Sequence, residues 1–145
     1  MPAQDMFQAD SEAVRTHIEI TQSVIKRMAS NSASCKTWCI TLVSATLLVV
    51  ADKSQPNYAL LAFIPTSLFL ALDTYYLALE RMFRQSYDQF LSKLHQRNVA
   101  LSDLYVIAPR GNMLKTFGTS LLSVSILPFY ITLLVMIVIA EKVFM

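Results

Sequence analysis

The feature that most constrains this chain is the run from Asn57 to Leu94. Its first part, YALLAFIPTSLFLALDTYYLAL, is apolar and long enough to cross a bilayer, which takes about 20 residues of helix. Its second part, ERMFRQSYDQFLSKL, carries on without Gly or Pro as an amphipathic helix suited to water. There Phe83, Tyr87, Phe90 and Leu94 recur at helical spacing, and Glu80 stands four residues before Arg84. A rod that is greasy at one end and two-faced at the other governs its neighbours. The segment before it must run alongside, and the segment after it must return to the membrane.

The N-terminal region meets that demand. Asp10 or Ser11 suits an N-cap with Glu12 in the first turn, and Val14, Ile18, Ile25 and Met28 share one face. Without a Gly or Pro between Ser11 and Pro56, one helix is predicted from about Ser11 to Ala51, roughly 60 Å at 1.5 Å per residue. Its second half, WCITLVSATLLVVA, is the first membrane segment. Lys36 can snorkel and Trp38 suits an interface, which lengthens a short apolar core into a workable span. Residues 1–9 show no pattern and are expected to be frayed. No small-residue cleavage site marks a signal peptide in residues 1–34, so none is expected.

The chain is 54% hydrophobic and 15% charged with two glycines, and it lacks strand-type alternation, so its spanning elements should be helices and not a closed barrel. A net charge of +2 without a basic run argues against binding to a nucleic-acid duplex. In the connector NVALSDLYVIAPRGNMLK, Pro109 and Gly111 mark a turn. The third apolar segment then runs from Thr116 to Ala140, with Gly118, Ser125 and Thr132 as a seven-residue seam and Pro128 as a kink. Pro65 should kink the second span and free the Leu61 carbonyl, with Thr66 and Ser67 placed to re-satisfy nearby backbone.

The resulting layout is all-α: an integral membrane protein of three transmembrane helices with an antiparallel cytoplasmic helical stalk. Its parts are an N-terminal amphipathic helix (1–34), a first span (35–52), an outer loop (53–57), a second span (58–79), a cytoplasmic extension (80–97), a connector (98–115), a third span (116–140) and a tail (141–145). Arg15, Lys26, Arg27, Lys36, Arg81, Arg84, Lys93, Arg97, Arg110 and Lys115 then lie on one side, and only Lys53 and Lys142 on the other. That bias predicts a cytoplasmic N-terminus and a periplasmic C-terminus.

Several residues stand out as candidate sites. Ser30, Ser34, Thr37, Thr41 and Ser44 form a polar stripe at four-three-four-three spacing, which either packs against helices or lines a pore. Asp73 lies near the inner end of the second span, where a carboxylate is costly unless paired. Lys36 and Asn31 are at the depth to meet it, favouring a structural ion pair over an ion-pathway acid. Aligning Trp38 with Tyr76 sets Lys26 and Arg27 opposite Tyr87 and Asp88. It also brings Arg15 and His17 near His95 and Arg97 at the tip, a cluster that is either solvated surface or a seat for an anion such as phosphate. Arg110 is a candidate contact for a ligand or partner, or part of a plain connector. Cys35 and Cys39, four apart on one helix, read as small buried residues and not as a disulfide or zinc site. Without HExxH, GxSxG, a Walker loop or a paired carboxylate set, neither catalysis nor a cofactor or metal is expected.

The segments VIKRMASNSASCKTW, before the first span, and LDTYYLALERMFRQSYD, at and beyond the second, resemble small bacterial membrane proteins related in layout to the SLATT and S-4TM-type effectors. The resemblance rests on Arg27, Met28, Asn31, Lys36, Trp38, Asp73, Tyr76, Glu80, Arg81 and Arg84, and a third span departs from the simplest two-span layout. It implies an oligomeric inner-membrane effector that permeabilises the bilayer in anti-phage abortive infection. A cyclic nucleotide or protein activator would act on the cytoplasmic helices. The competing expectation is a non-catalytic membrane anchor or regulatory subunit for a soluble partner.

Overall fold

The computed structural model describes residues 11–53 and 56–144. The expected fraying of 1–9, a capping role for Asp10, part of the outer loop and the last residue of the tail lie outside them. All regular structure among the described residues is helical. It comprises α1 (Glu12–Lys53), a 3₁₀ helix (Pro56–Ala62), α2 (Phe63–His95), a 3₁₀ turn (Leu101–Asp103), α3 (Met113–Leu121) and α4 (Leu127–Phe144). Two stretches, Glu12–Asp52 and Tyr58–His95, are long and apolar enough to cross a membrane. Only 22% of the most apolar window of each is buried inside the protein, unlike the core helix of a soluble domain.

Ser11 starts α1, its Oγ accepting the Val14 N–H at 3.4 Å and its carbonyl the Arg15 N–H at 3.1 Å. The helix then runs 42 residues, about 63 Å, as one piece. Its inner face is Val14, His17, Thr21, Ile25, Met28, Ser32, Cys35, Cys39 and Val43, all buried at three- and four-residue steps, and Val50 seven residues on continues the stripe. The facing positions of α2 include Thr66, Thr74 and Ala78, whose small size lets the helices approach closely. As residue number rises along α1 it falls along α2: His17 meets Phe90, Gln22 donates to the Tyr87 hydroxyl at 3.1 Å, and Ser32 reaches Asp73. The two helices therefore run in opposite directions.

Prolines set two boundaries differently from expectation. Pro65 lies seven residues into the Tyr58–His95 stretch, just after its 3₁₀ turns give way to α-helix. It is the third residue of α2, in the first turn, where its missing N–H costs nothing. Thr66 and Ser67 donate to the Ala62 and Phe63 carbonyls at 2.7 and 2.6 Å, the backbone role foreseen for them. Pro128 is the second residue of α4, and the segment predicted as one helix over 116–140 is divided there, with α3 ending at Leu121 and a turn intervening. The pyrrolidine ring excludes a helical carbonyl four residues back, at Val124, so the break falls just before it. Gly118, Ser125 and Thr132 consequently share no helix face, and a side chain at Gly118 would meet open space.

Packing falls into two clusters. One joins Cys39 and Val43 of α1 and Ala62 to Ile126, Tyr130, Leu133 and Ile137. The other, near the far end of α2, joins Val14, Phe90, Val99 and Leu104. In the second cluster, outside the apolar stretches, burying each Val, Leu or Phe side chain contributes roughly 1.5–3 kcal/mol. Arg97, at φ 53°, ends α2 with a Schellman pair: Arg97 N–H to the Leu94 carbonyl at 3.0 Å and Asn98 N–H to Lys93 at 2.9 Å. The chain then turns back as a strap along α2. Asp103 bonds Lys93, Arg110 bonds Gln89 and Met82, and Gly111 lies over Gln85. Asn112 caps α3 by accepting the Lys115 N–H at 3.1 Å, so the helix begins three residues earlier than the predicted third span.

Candidate functional site

Two polar centres stand out. The first is Asp73, fully buried on α2. One carboxylate oxygen accepts a hydrogen bond from Ser32 Oγ; the other lies 2.6 Å from Lys36 Nζ and accepts from the Tyr130 hydroxyl at 3.2 Å. Lys36 Nζ also stands 6.0 Å from the centre of the Phe129 ring, within cation–π reach. A lone carboxylate at such a place would be untenable; paired and hydrogen-bonded on both oxygens it becomes a clasp. α1, α2 and α4 each contribute to it. The predicted Lys36–Asp73 pair is present, but Ser32 takes the place offered to Asn31. Tyr130 escaped sequence reading because nothing local relates it to Asp73.

The second centre is the strap. His17 is 4% exposed, with its ring 4.2 Å from that of Phe90, and its Nδ1 accepts the Tyr105 N–H at 3.0 Å. Tyr105 has a left-handed φ of 62°, held where its amide meets that nitrogen. Burial pulls the His17 pKa below its ordinary value, with Asp103 partly opposing. Asp103 accepts from Lys93 Nζ at 2.6 Å and from Ala100 N–H at 3.1 Å, and those bonds hold its carboxyl below the usual range. Arg110 Nη1 donates to Gln89 at 2.9 Å. Together His17, Ser86, Gln89, Phe90, Lys93, Ser102, Asp103, Val106 and Arg110 line a cavity of about 50 Å³.

This is not the tip cluster expected from sequence. His17 and Arg110 come together, whereas Arg15, His95 and Arg97 are exposed and outside the cavity. The expected alignment of Trp38 with Tyr76 put His17 beside residues 95–97. The helices instead place it at Phe90, about six residues or some 9 Å away. The Asp73 clasp fixes the register, and Trp38 is left 60% exposed. Lys26 still lines a groove with Tyr87 and Asp88, but Tyr87 pairs with Gln22, and Arg27 is not part of that groove.

Ser34, Thr37, Thr41 and Ser44 are all exposed on the outer side of α1. Thr37 and Thr41 donate to the Ala33 and Thr37 carbonyls of their own helix at 3.3 and 2.9 Å. Ser44 and Thr132 also edge an apolar opening of about 440 Å³ between α1 and α4. Cys35 and Cys39 are buried free thiols. Among the described residues no group of three or more His, Cys, Asp or Glu is arranged to hold a metal. No protein-family model, curated protein or solved structure matches the chain.

Proposed function

We propose that this protein is an oligomeric bacterial inner-membrane effector that permeabilises the bilayer, the activity implied by its resemblance to effectors of abortive infection. In this reading residues 35–52 and 58–79 span the membrane and α4, about 27 Å long, makes the third crossing. Residues 12–34 and 80–95 form an antiparallel cytoplasmic stalk, with the C-terminus periplasmic. One observation carries the reading: the hydroxyl stripe of α1 lies on the outside of the protomer, opposite its packed face. A single three-span protomer encloses no channel, and copies meeting along that stripe would bring four hydroxyl positions per chain to a shared axis. A cyclic nucleotide or protein activator would act on the cytoplasmic helices.

The test is induced expression in bacteria with a potential-sensitive dye, with and without phage challenge, alongside the mass of the detergent-extracted particle. Depolarisation, growth arrest and a multimer are expected, and S34A/T37A/T41A/S44A should change conductance. A monomer that leaves the potential intact under both conditions would sink the proposal. A second reading, a membrane anchor for a soluble partner, is favoured by the exposed Leu101, Tyr105 and Val106 on the strap. It predicts harmless overexpression and a soluble protein that co-purifies until those three positions are made polar.

A further inference from the structure

The strap cavity has the chemistry of an oxyanion seat, and this does not depend on what the membrane part does. Asp103 is already neutralised by Lys93 at 2.6 Å, which leaves Arg110 as the cation in excess. Gln89 takes one of its several N–H donors. His17, which also lines the cavity, has Nδ1 committed to accepting from Tyr105, so its neutral ring carries the proton on Nε2 as a free donor group. Ser86 and Ser102 line the cavity as well, each with a hydroxyl that can donate. A volume of about 50 Å³ admits roughly three to five waters at ~10–15 Å³ each, the size of one phosphoryl group and too small for a ring. Val106, which lines the cavity, and its chain neighbour Tyr105 are both more than half exposed, an aromatic and an aliphatic side chain available beside it.

We propose that this cavity binds a soluble phosphate monoester: Arg110, His17, Ser86 and Ser102 hold the phosphoryl group, and Tyr105 and Val106 receive its organic body. A bidentate guanidinium contact is the strong element in such a site. Phe90 stands some 26 Å along α2 from Asp73, so if Asp73 is at membrane depth, as the functional reading has it, lipid headgroups do not reach the cavity. A free solute is therefore the source.

The experiment is calorimetric titration of the full chain in detergent with phenyl phosphate, inorganic phosphate and, separately, vesicles of phosphatidylcholine with and without phosphatidic acid. Saturable binding of phenyl phosphate is expected, several-fold tighter than inorganic phosphate. R110Q should weaken it by about tenfold or more, the loss of one charge-assisted contact. R110K should retain part of the affinity, and R15Q, at an exposed position off the cavity, should retain all of it. Should R110Q fold poorly, S86A/S102A is expected to weaken binding several-fold. No saturable binding by the wild-type chain, equal affinity in R110Q and wild type, or a response confined to phosphatidic-acid vesicles would each overturn the proposal. None of these readings depends on whether the membrane is permeabilised.

Discussion

Replacing Asp73 by Asn keeps the side chain's shape and removes its charge, leaving the Lys36 ammonium without the carboxylate 2.6 Å away. Two general magnitudes compete. Breaking a buried ion pair from one side costs roughly 3–5 kcal/mol. Polar contacts between membrane helices, however, average about 0.6 kcal/mol and reach about 1.7, because separated helices find other partners. The local geometry decides between them, and differently for the two partners. The Lys36 side chain is 21% exposed and its long stem can swing toward polar surroundings, so D73N should cost about 2 kcal/mol. Asp73 has no exposure and a short side chain, so Lys36→Met strands it, at about 3 kcal/mol. The double variant K36M/D73N carries no charge there and should recover ~1–2 kcal/mol of the summed cost. Unfolding equilibria in mixed micelles, by denaturant titration of the four proteins, provide the measurement. Additive costs, or single variants within about 0.5 kcal/mol of wild type, would refute the clasp as the element that sets helix register.

The other predictions concern the membrane and the strap. Trp38, the only tryptophan, is 60% exposed on α1, and its fluorescence in vesicles should be quenched most by lipids brominated near the headgroup. Quenching by an aqueous quencher alone would remove the first span from its place. His17 has a lowered pKa, so its contribution to stability is present above the ordinary value of 6.5 and declines below it, where the unfolded chain takes a proton the buried ring resists. Once the intrinsic pH dependence of exchange is divided out, protection of the Tyr105 amide should fall from about pH 7.5 to about pH 5.5, and H17A should leave protection low and flat across that range. Gly111 has φ 120°, and a Cβ there would lie 2.8 Å from Gln85 Oε1. The glutamine can move, so the backbone dominates and G111A should cost roughly 1–3 kcal/mol, read as lost thermal stability.

How much of this was legible in the sequence depends on the range of the interaction involved. The two long helices were readable because their signals are local: a capping Ser11 three residues before Val14, an unbroken apolar face, and no Gly or Pro between Ser11 and Pro56. The Lys36–Asp73 pair was readable because an acid in an apolar run demands a partner and few cations lie near its depth. The register beyond it was not. Aromatic residues constrain depth only loosely, so aligning Trp38 with Tyr76 left an error of about two helical turns at His17. A buried carboxylate tolerates no such slack: one hydroxyl and one ammonium must both reach it, and that condition alone carries Phe90 to His17. The same distinction explains the third apolar segment. Hydropathy is blind to whether Pro128 lies inside a helix or opens one, and only the packing of Ile126 and Tyr130 against the α1–α2 pair places it at the start of α4. The strap cavity was hardest to foresee. His17, Lys93, Asp103 and Arg110 converge only because Arg97 and Tyr105 adopt left-handed backbone that glycine would normally supply, which turns the chain back along α2.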